Sequence, residues 1–299
     1  MHDIKIGTLV GAGNAKKMIP RLIPYGFETF SLTFWETTGG MDLERLAEDV
    51  NEALAGSDCR ISGVGVYGNP LVDSEKGLAA RDSWAQLIKA AHLFGTDLVA
   101  GFAGRVPDVP VLESLPKFKE VFTPLAELAG EAGVRLAFEN CQMDGDWQRG
   151  DWNIAFNPRA WEEMFAAVPY DNIGLQWEPC HQMTQLIDPI PQLRKWVKRI
   201  FNIHGKDATV AWDIIREKGI LAGEEFVWHR TPGFGDTNWT DIISILRMAG
   251  YKGSIDIEGW HDPVYRGELE YTGQVRALNY LKECRGGEWV PNLEREENF

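Results

Sequence analysis

Three glutamates and one histidine stand at the ends of short apolar runs. Residues 134–138 lead into Glu139, 173–177 into Glu178, 200–203 into His204, and 254–257 into Glu258. Each run has the length of a buried strand, and helix-length stretches separate them. If the strands are parallel, all four side chains emerge at one edge of the sheet. Three carboxylates gathered there repel one another unless a cation offsets their charge. The set therefore reads as a metal site. Three carboxylates and one imidazole suit Mn²⁺ best, and Mg²⁺, Co²⁺ or Zn²⁺ less well. An octahedral ion with four protein ligands keeps positions for two substrate oxygens, such as a sugar carbonyl and its neighbouring hydroxyl. A cation so placed polarises the carbonyl and acidifies the adjacent C–H. Glu139 and Glu258 can then face a sugar from two sides, one removing a proton and the other returning one.

Other side chains lie close in sequence to this set. His181 follows Glu178 by three residues and can bind a substrate hydroxyl or a second metal. Asp207 follows His204 by three and can orient it or bind substrate. Lys206 or Arg230 can stabilise an enediolate oxygen, and His229 shares their long connection. Trp35, Trp147, Trp152, Trp177 and Trp260 fall near strand ends or their loops. Indole faces stack on sugar rings or aryl groups, and Trp35 and Trp260 are taken as substrate-binding candidates. Each residue also has a plainer reading, as a surface charge, a helix cap or core packing. Cys141 and Cys180 flank the set without an evident base and read as packing residues.

The elements that must position these groups alternate. Strands are expected at 4–9, 28–34, 61–67 and 98–102, then at the four runs above. Helices are expected at 16–25, 41–55, 79–94, 111–133, 158–167, 191–199, 241–249 and 273–282. Alternating β and α elements imply a parallel sheet with right-handed crossovers, and eight such pairs close into a (β/α)8 TIM barrel. The barrel is read as one domain over 1–285, with a polar, charged tail over 286–299. An open doubly wound sheet is the competing arrangement, but Gly11-Ala12-Gly13-Asn14 is only a fragment of a dinucleotide loop. Two connections are long, 140–157 and 206–238, the second with a short helical piece at 212–218. Both follow strands that end in proposed ligands, and long loops over such an edge usually carry function.

Composition narrows the partners. A formal net charge of −14 repels phosphate backbones and speaks against nucleic acid. The 44% hydrophobic content is ample for a large core, and no apolar run has membrane-spanning length. No secretory leader is expected, because a strand-like run, Ile4-Lys5-Ile6-Gly7, comes almost at once with no basic-then-apolar stretch before it. Four cysteines without CxxC spacing suit a reducing cytoplasm rather than a zinc ribbon or a redox pair. A small-molecule sugar or keto-glycoside is the expected partner. A homo-oligomer and a small partner subunit both stay open.

With these residues in view, the chain resembles the sugar phosphate isomerase/epimerase superfamily. These are xylose-isomerase-like TIM barrels that include D-tagatose and D-psicose 3-epimerases, inosose dehydratase and endonuclease IV. The carriers are Phe138-Glu139-Asn140, Trp177-Glu178-Pro179-Cys180-His181, His204-Gly205-Lys206-Asp207, Pro232-Gly233-Phe234-Gly235-Asp236 and Ile257-Glu258. The resemblance implies that Glu139, Glu178, His204 and Glu258 bind the divalent ion, that Glu139 and Glu258 also move protons, and that His181 contacts substrate. The family usually has Asp where this chain has Glu178, so the carboxylate there reaches one methylene further. Endonuclease IV carries extra histidines after strands three and four, where this chain reads Tyr67-Gly68-Asn69 and Phe102-Ala103-Gly104. DNA repair is therefore not expected. Epimerisation or aldose–ketose isomerisation is the leading function. The alternative is a lyase or dehydratase that expels a leaving group from an inosose or 3-keto-glycoside after the same proton abstraction. A non-catalytic sugar-binding barrel ranks last.

Overall fold

The computed structural model describes residues 3–291. Eight parallel strands close into a barrel: β1 (Lys5–Gly11), β2 (Thr29–Trp35), β3 (Arg60–Tyr67), β4 (Leu98–Gly101), β5 (Arg135–Glu139), β6 (Ile173–Trp177), β7 (Ile200–Gly205) and, after the hairpin described below, β10 (Ser254–Ile257). β1 closes the ring by pairing with both β2 and β10. The (β/α)8 barrel expected from sequence is the fold, as a single domain.

Helices follow the strands: α1 (Ala15–Leu22), α2 (Leu43–Leu54), α3 (Glu75–Ala90), α4 (Val111–Glu131), α5 (Pro158–Ala167), α7 (Pro189–Trp196), α9 (Trp239–Met248) and α10 (Glu270–Cys284), with a single turn, α6 (Cys180–Met183), directly after β6. Several starts are written in the sequence. Asp42, Ser74, Asn157, Asp188 and Asn238 each cap a helix by accepting a backbone N–H. Pro158 and Pro189 take first positions, where a missing N–H costs nothing. Pro20 lies inside α1, and Pro116 and Pro124 inside α4. Both helices persist because their apolar faces are buried against the barrel, through Ile19 and Leu22 in α1 and Phe118 and Phe122 in α4.

The packing that places β5 is aromatic. Phe122 meets Phe138 edge-on at 4.8 Å and Trp84 at 5.4 Å, all fully buried outside the barrel. Each such side chain removed from water contributes about 1.5–3 kcal/mol. Phe138 faces this layer, so Glu139 beside it faces the lumen, because side chains alternate along a strand.

One feature differs from expectation. The connection after β7 is not only loop and short helix. It forms an antiparallel hairpin, β8 (Asp207–Val210) with β9 (Val227–Arg230), around α8 (Trp212–Lys218). Strands this short, interrupted by a helix, carry too little periodic pattern to be read locally. Among the described residues no helix is long and apolar enough to cross a membrane. α10 ends at Cys284, and residues 292–299 of the tail lie outside the described residues.

Candidate metal centre and active-site mouth

Glu139 is the last residue of β5, and Glu178 and Glu258 directly follow β6 and β10. His204 is the penultimate residue of β7. Because parallel strands present their C-terminal ends together, all four meet at one rim. They are buried, and one ligand atom from each lies within 4.8 Å of the others. The neighbouring loops hold them there. Asn140 grips the backbone of Glu178 twice, accepting its N–H at 2.7 Å and donating to its carbonyl at 2.9 Å. Asn153 donates to the carbonyls of Glu139 and Cys141 at 2.9 and 2.8 Å.

The donors converge without satisfying one another. His204 Nδ1 lies 2.8 Å from Glu139 Oε1 and 3.1 Å from Glu258 Oε2. Neither contact has hydrogen-bond geometry, so both imidazole nitrogens, both Glu178 oxygens and Glu258 Oε2 lack partners. Buried polar atoms are almost always paired, and leaving one bare costs about 1–3 kcal/mol. Lone pairs aimed at a common centre, from three hard oxygens and one borderline nitrogen, fit a divalent cation.

The electrostatics follow from crowding. Burial lifts Glu139 above the usual carboxyl range and pushes Glu178 up to about 7, although Lys206 pulls the latter down. Burial would also raise Glu258, but Lys206 and His204 hold it well below the usual range. Burial alone would lower His204, yet Glu139 and Glu258 push it up to about 10. Lys206 is the permanent cation that offsets the acids.

Lys206 is buried, and its Nζ donates to Glu258 Oε1 at 2.7 Å, 4.0 Å from Glu178 Oε2 and 3.4 Å from His181 Nε2. His181, in α6, places Nε2 3.1 Å from Glu178 Oε1. The rings of His181 and His229 meet edge-on at 5.0 Å, and His261 stands 5.9 Å beyond. Burial and the nearby Lys206 cation lower His181 and His229 to about 3 and depress His261, so all three are neutral imidazoles at pH 7.

These groups line a cavity of about 720 Å³ together with Trp35 and Trp260. Two expected substrate-binding residues turn elsewhere. The Asp207 carboxylate accepts N–H groups from Ala208, Gly233, Thr237 and the Trp239 indole, so it anchors the long connection instead of reaching His204. Arg230 pairs with Asp262 at 3.3 Å. Trp177 is fully buried, and Trp147 packs on the core under Arg159. Cys180 is core, while Cys141 faces the cavity.

Sequence reading missed His261, which needed only its offset of three from Glu258, the same offset that singled out His181. It also missed a polar ladder one layer deeper. Tyr67 donates to Gln176 at 2.8 Å, Gln176 to Asn202 at 3.0 Å, and Asn202 to Asp256 at 3.0 Å. Thr29 and Ser254 each donate to Asp256 at 2.7 Å. Gln176, Asn202 and Asp256 precede Glu178, His204 and Glu258 by two residues, the period of one strand face. That period was the available signal. The chain comes so close here that a Cβ on Gly7 would lie 2.1 Å from Thr29 Oγ1 and 2.3 Å from Asp256 Oδ1.

A closed parallel barrel with acids and imidazoles gathered at its C-terminal rim is the architecture of a barrel enzyme site. The chain belongs to the xylose isomerase-like TIM barrel family, whose model matches residues 22–284. It is 24% identical over 273 residues to the uncharacterized protein YfiH of Bacillus subtilis (strain 168), covering 78% of this chain and 84% of that one. It is 30% identical over 169 residues to an inosose isomerase of Halalkalibacterium halodurans, covering 54% and 51%. The chain thus matches about half the length of that relative. A crystal structure of a D-tagatose 3-epimerase-like protein superposes with a TM-score of 0.71 at 17% identity, over 94% of this chain and 97% of that one. The expected family is therefore established, and it includes sugar-modifying enzymes.

Proposed function

We propose that the protein is a divalent-metal-dependent sugar isomerase or epimerase that abstracts a proton next to a sugar carbonyl. The observation that carries this reading is the convergence of Glu139, Glu178, His204 and Glu258, with Glu178, His204 and one Glu258 oxygen left without hydrogen-bond partners. A divalent ion, best Mn²⁺, would be held by these four and would supply the positive charge that polarises the carbonyl. The remaining work falls to side chains. Glu139 and Glu258 come from strands separated in the ring by β6 and β7, so they approach a sugar from two directions. One takes the proton and the other returns it, on the opposite face for epimerisation or on the adjacent carbon for isomerisation. Lys206 keeps Glu258 charged and offers its cation to the oxygen that becomes an enediolate. His181 is in place to hold a hydroxyl as a neutral imidazole. Four free thiols support a cytoplasmic setting.

The test is hydrogen exchange by NMR in D₂O with a panel of keto sugars. Metal-dependent loss of a single C–H signal, absent in Glu139→Gln and Glu258→Gln, is the expected result. No exchange with any ketose, with Mn²⁺ bound, would overturn the proposal. Release of water or an alcohol alongside exchange would redirect it to β-elimination.

A further inference from the structure

The cavity is larger than one sugar ring at the four ligands requires. Its volume of about 720 Å³ lies within the ~300–1,000 Å³ of sites that bury drug-sized ligands. Its outer wall is aromatic. Trp35 is 64% exposed and Trp260 42% exposed, and both line the same cavity as Glu139 and Glu258. The ring of Trp152 lies 5.8 Å from that of Trp35, tilted by 32°. Indoles are usually well buried, so two standing exposed at one cavity, with Trp152 beside one of them, need an explanation that core packing does not provide.

Their positions are enforced. Trp35 ends β2, and the next residue, Glu36, adopts a left-handed backbone with φ of 60°. The Glu36 N–H donates to the Tyr67 carbonyl at 3.2 Å, and Lys76 binds its carboxylate at 3.1 Å. A Cβ on Gly68 would lie 2.1 Å from the Glu36 carbonyl oxygen, so only glycine lets that turn settle there. On the facing side, Asn69 donates to the carbonyl of Asp151 at 2.6 Å, directly before Trp152. Met143 and Asp144 are also left-handed, with φ of 48° and 57°, and line the cavity. Such residues cost about 1–3 kcal/mol each and persist where the surroundings hold them. The loop bearing Trp152 is also rooted at the centre, since Asn153 clasps the Glu139 carbonyl.

We infer that this mouth is a second subsite and that the substrate is a two-ring glycoside. The ring bearing the ketone sits at the acids, and a second ring with a flat apolar face, aryl or sugar, lies against Trp35 and Trp260. The inner ring rests on the proposed proton-abstraction reading; the outer subsite rests on the tryptophans alone. Indole faces take either ring type through the same stacking contact.

Calorimetric titration of the full Mn²⁺-loaded chain separates the possibilities. The probes are the methyl and phenyl 3-keto-β-D-glucosides and 3-ketocellobiose. At least one two-ring ligand should bind about tenfold tighter than the methyl glycoside, a difference of about 1.4 kcal/mol. Trp35→Ala and Trp260→Ala should each bring its Kd to within about twofold of that variant's own methyl value, erasing the tenfold ratio. The preferred arm tells an aryl from a sugar second ring. Trp35→Leu keeps apolar bulk without the indole and should behave like the alanine variant, with thermal melts matching wild type. Equal affinity for one-ring and two-ring ligands, parallel loss of both in the variants, or no glycoside binding while a free ketose still exchanges in D₂O would each overturn the subsite. Tight two-ring binding without C–H exchange would instead sink the proton-abstraction reading and leave the subsite standing.

Discussion

Two polar layers sit inside this barrel on the same strands, two residues apart, and they differ in whether their atoms are spent. In the lower layer, Asp256 accepts from Thr29, Asn202 and Ser254, and Gln176 bridges Tyr67 to Asn202. In the upper layer, His204, Glu178 and Glu258 keep bare lone pairs in contact range of one another. Both layers are buried, so burial and polarity alone do not mark a site. Satisfaction does. A closed network rigidifies the barrel, while an open one of like charges holds free energy that a bound cation releases.

The contrast can be broken from the top downward. The largest effect belongs to the upper layer in turnover. Glu139→Gln or Glu258→Gln should lower the exchange rate by about a hundredfold to ten-thousandfold, read by the D₂O assay with Mn²⁺ saturating. For Glu139→Gln the fold should survive, because burial already disfavours that charge.

Next in size is the lower layer in stability. Asp256→Ala strips three donors of their acceptor and should cost about 3–5 kcal/mol in urea unfolding. Glu178→Gln should not destabilise the metal-free protein, because the amide keeps the shape and removes a charge that burial opposes. If both substitutions destabilise the metal-free chain alike, the two layers are not different in kind.

Metal should erase the difference. Mn²⁺ at a hundred times its Kd should stabilise the wild-type chain by about 2.7 kcal/mol, and EDTA should reverse it. Glu178→Gln should show a smaller gain in the same thermal melts.

The smallest effect lies outside both layers and tests pH. Burial would raise Glu28, but Arg285, 2.6 Å away, holds its carboxyl below the ordinary value of 4.5. A carboxyl depressed on folding adds stability above its unfolded pKa and loses it as pH falls through the folded value. The pair should therefore contribute about 1 kcal/mol at neutral pH, fading from about pH 4.5 downward. Glu28→Gln should flatten that part of the stability curve without touching metal affinity.

Much of this was legible in the chain. The strand-end positions of Glu139, Glu178, His204 and Glu258 needed only the alternation of apolar runs with helical periods. The pattern is local, and a parallel barrel turns a shared place at strand ends into a shared place in space. His181 and Lys206 followed from their offsets to those ligands. Asp207 lies just as near in sequence, yet its carboxylate is taken up by backbone N–H groups from residues 233–237, which no spacing announces. Chain composition likewise could not sort the tryptophans. Trp177 and Trp35 both end strands, but one is fully buried and the other stands 64% exposed in the mouth.

By itself, then, the sequence determined the barrel and the identity of the four convergent donors, because strand period and helix period are encoded residue by residue. Only the tertiary structure decided which polar atoms find partners, which indoles face the cavity and where the long connections close. Those outcomes depend on residues far apart in the chain meeting across the lumen, and no local pattern carries that distance.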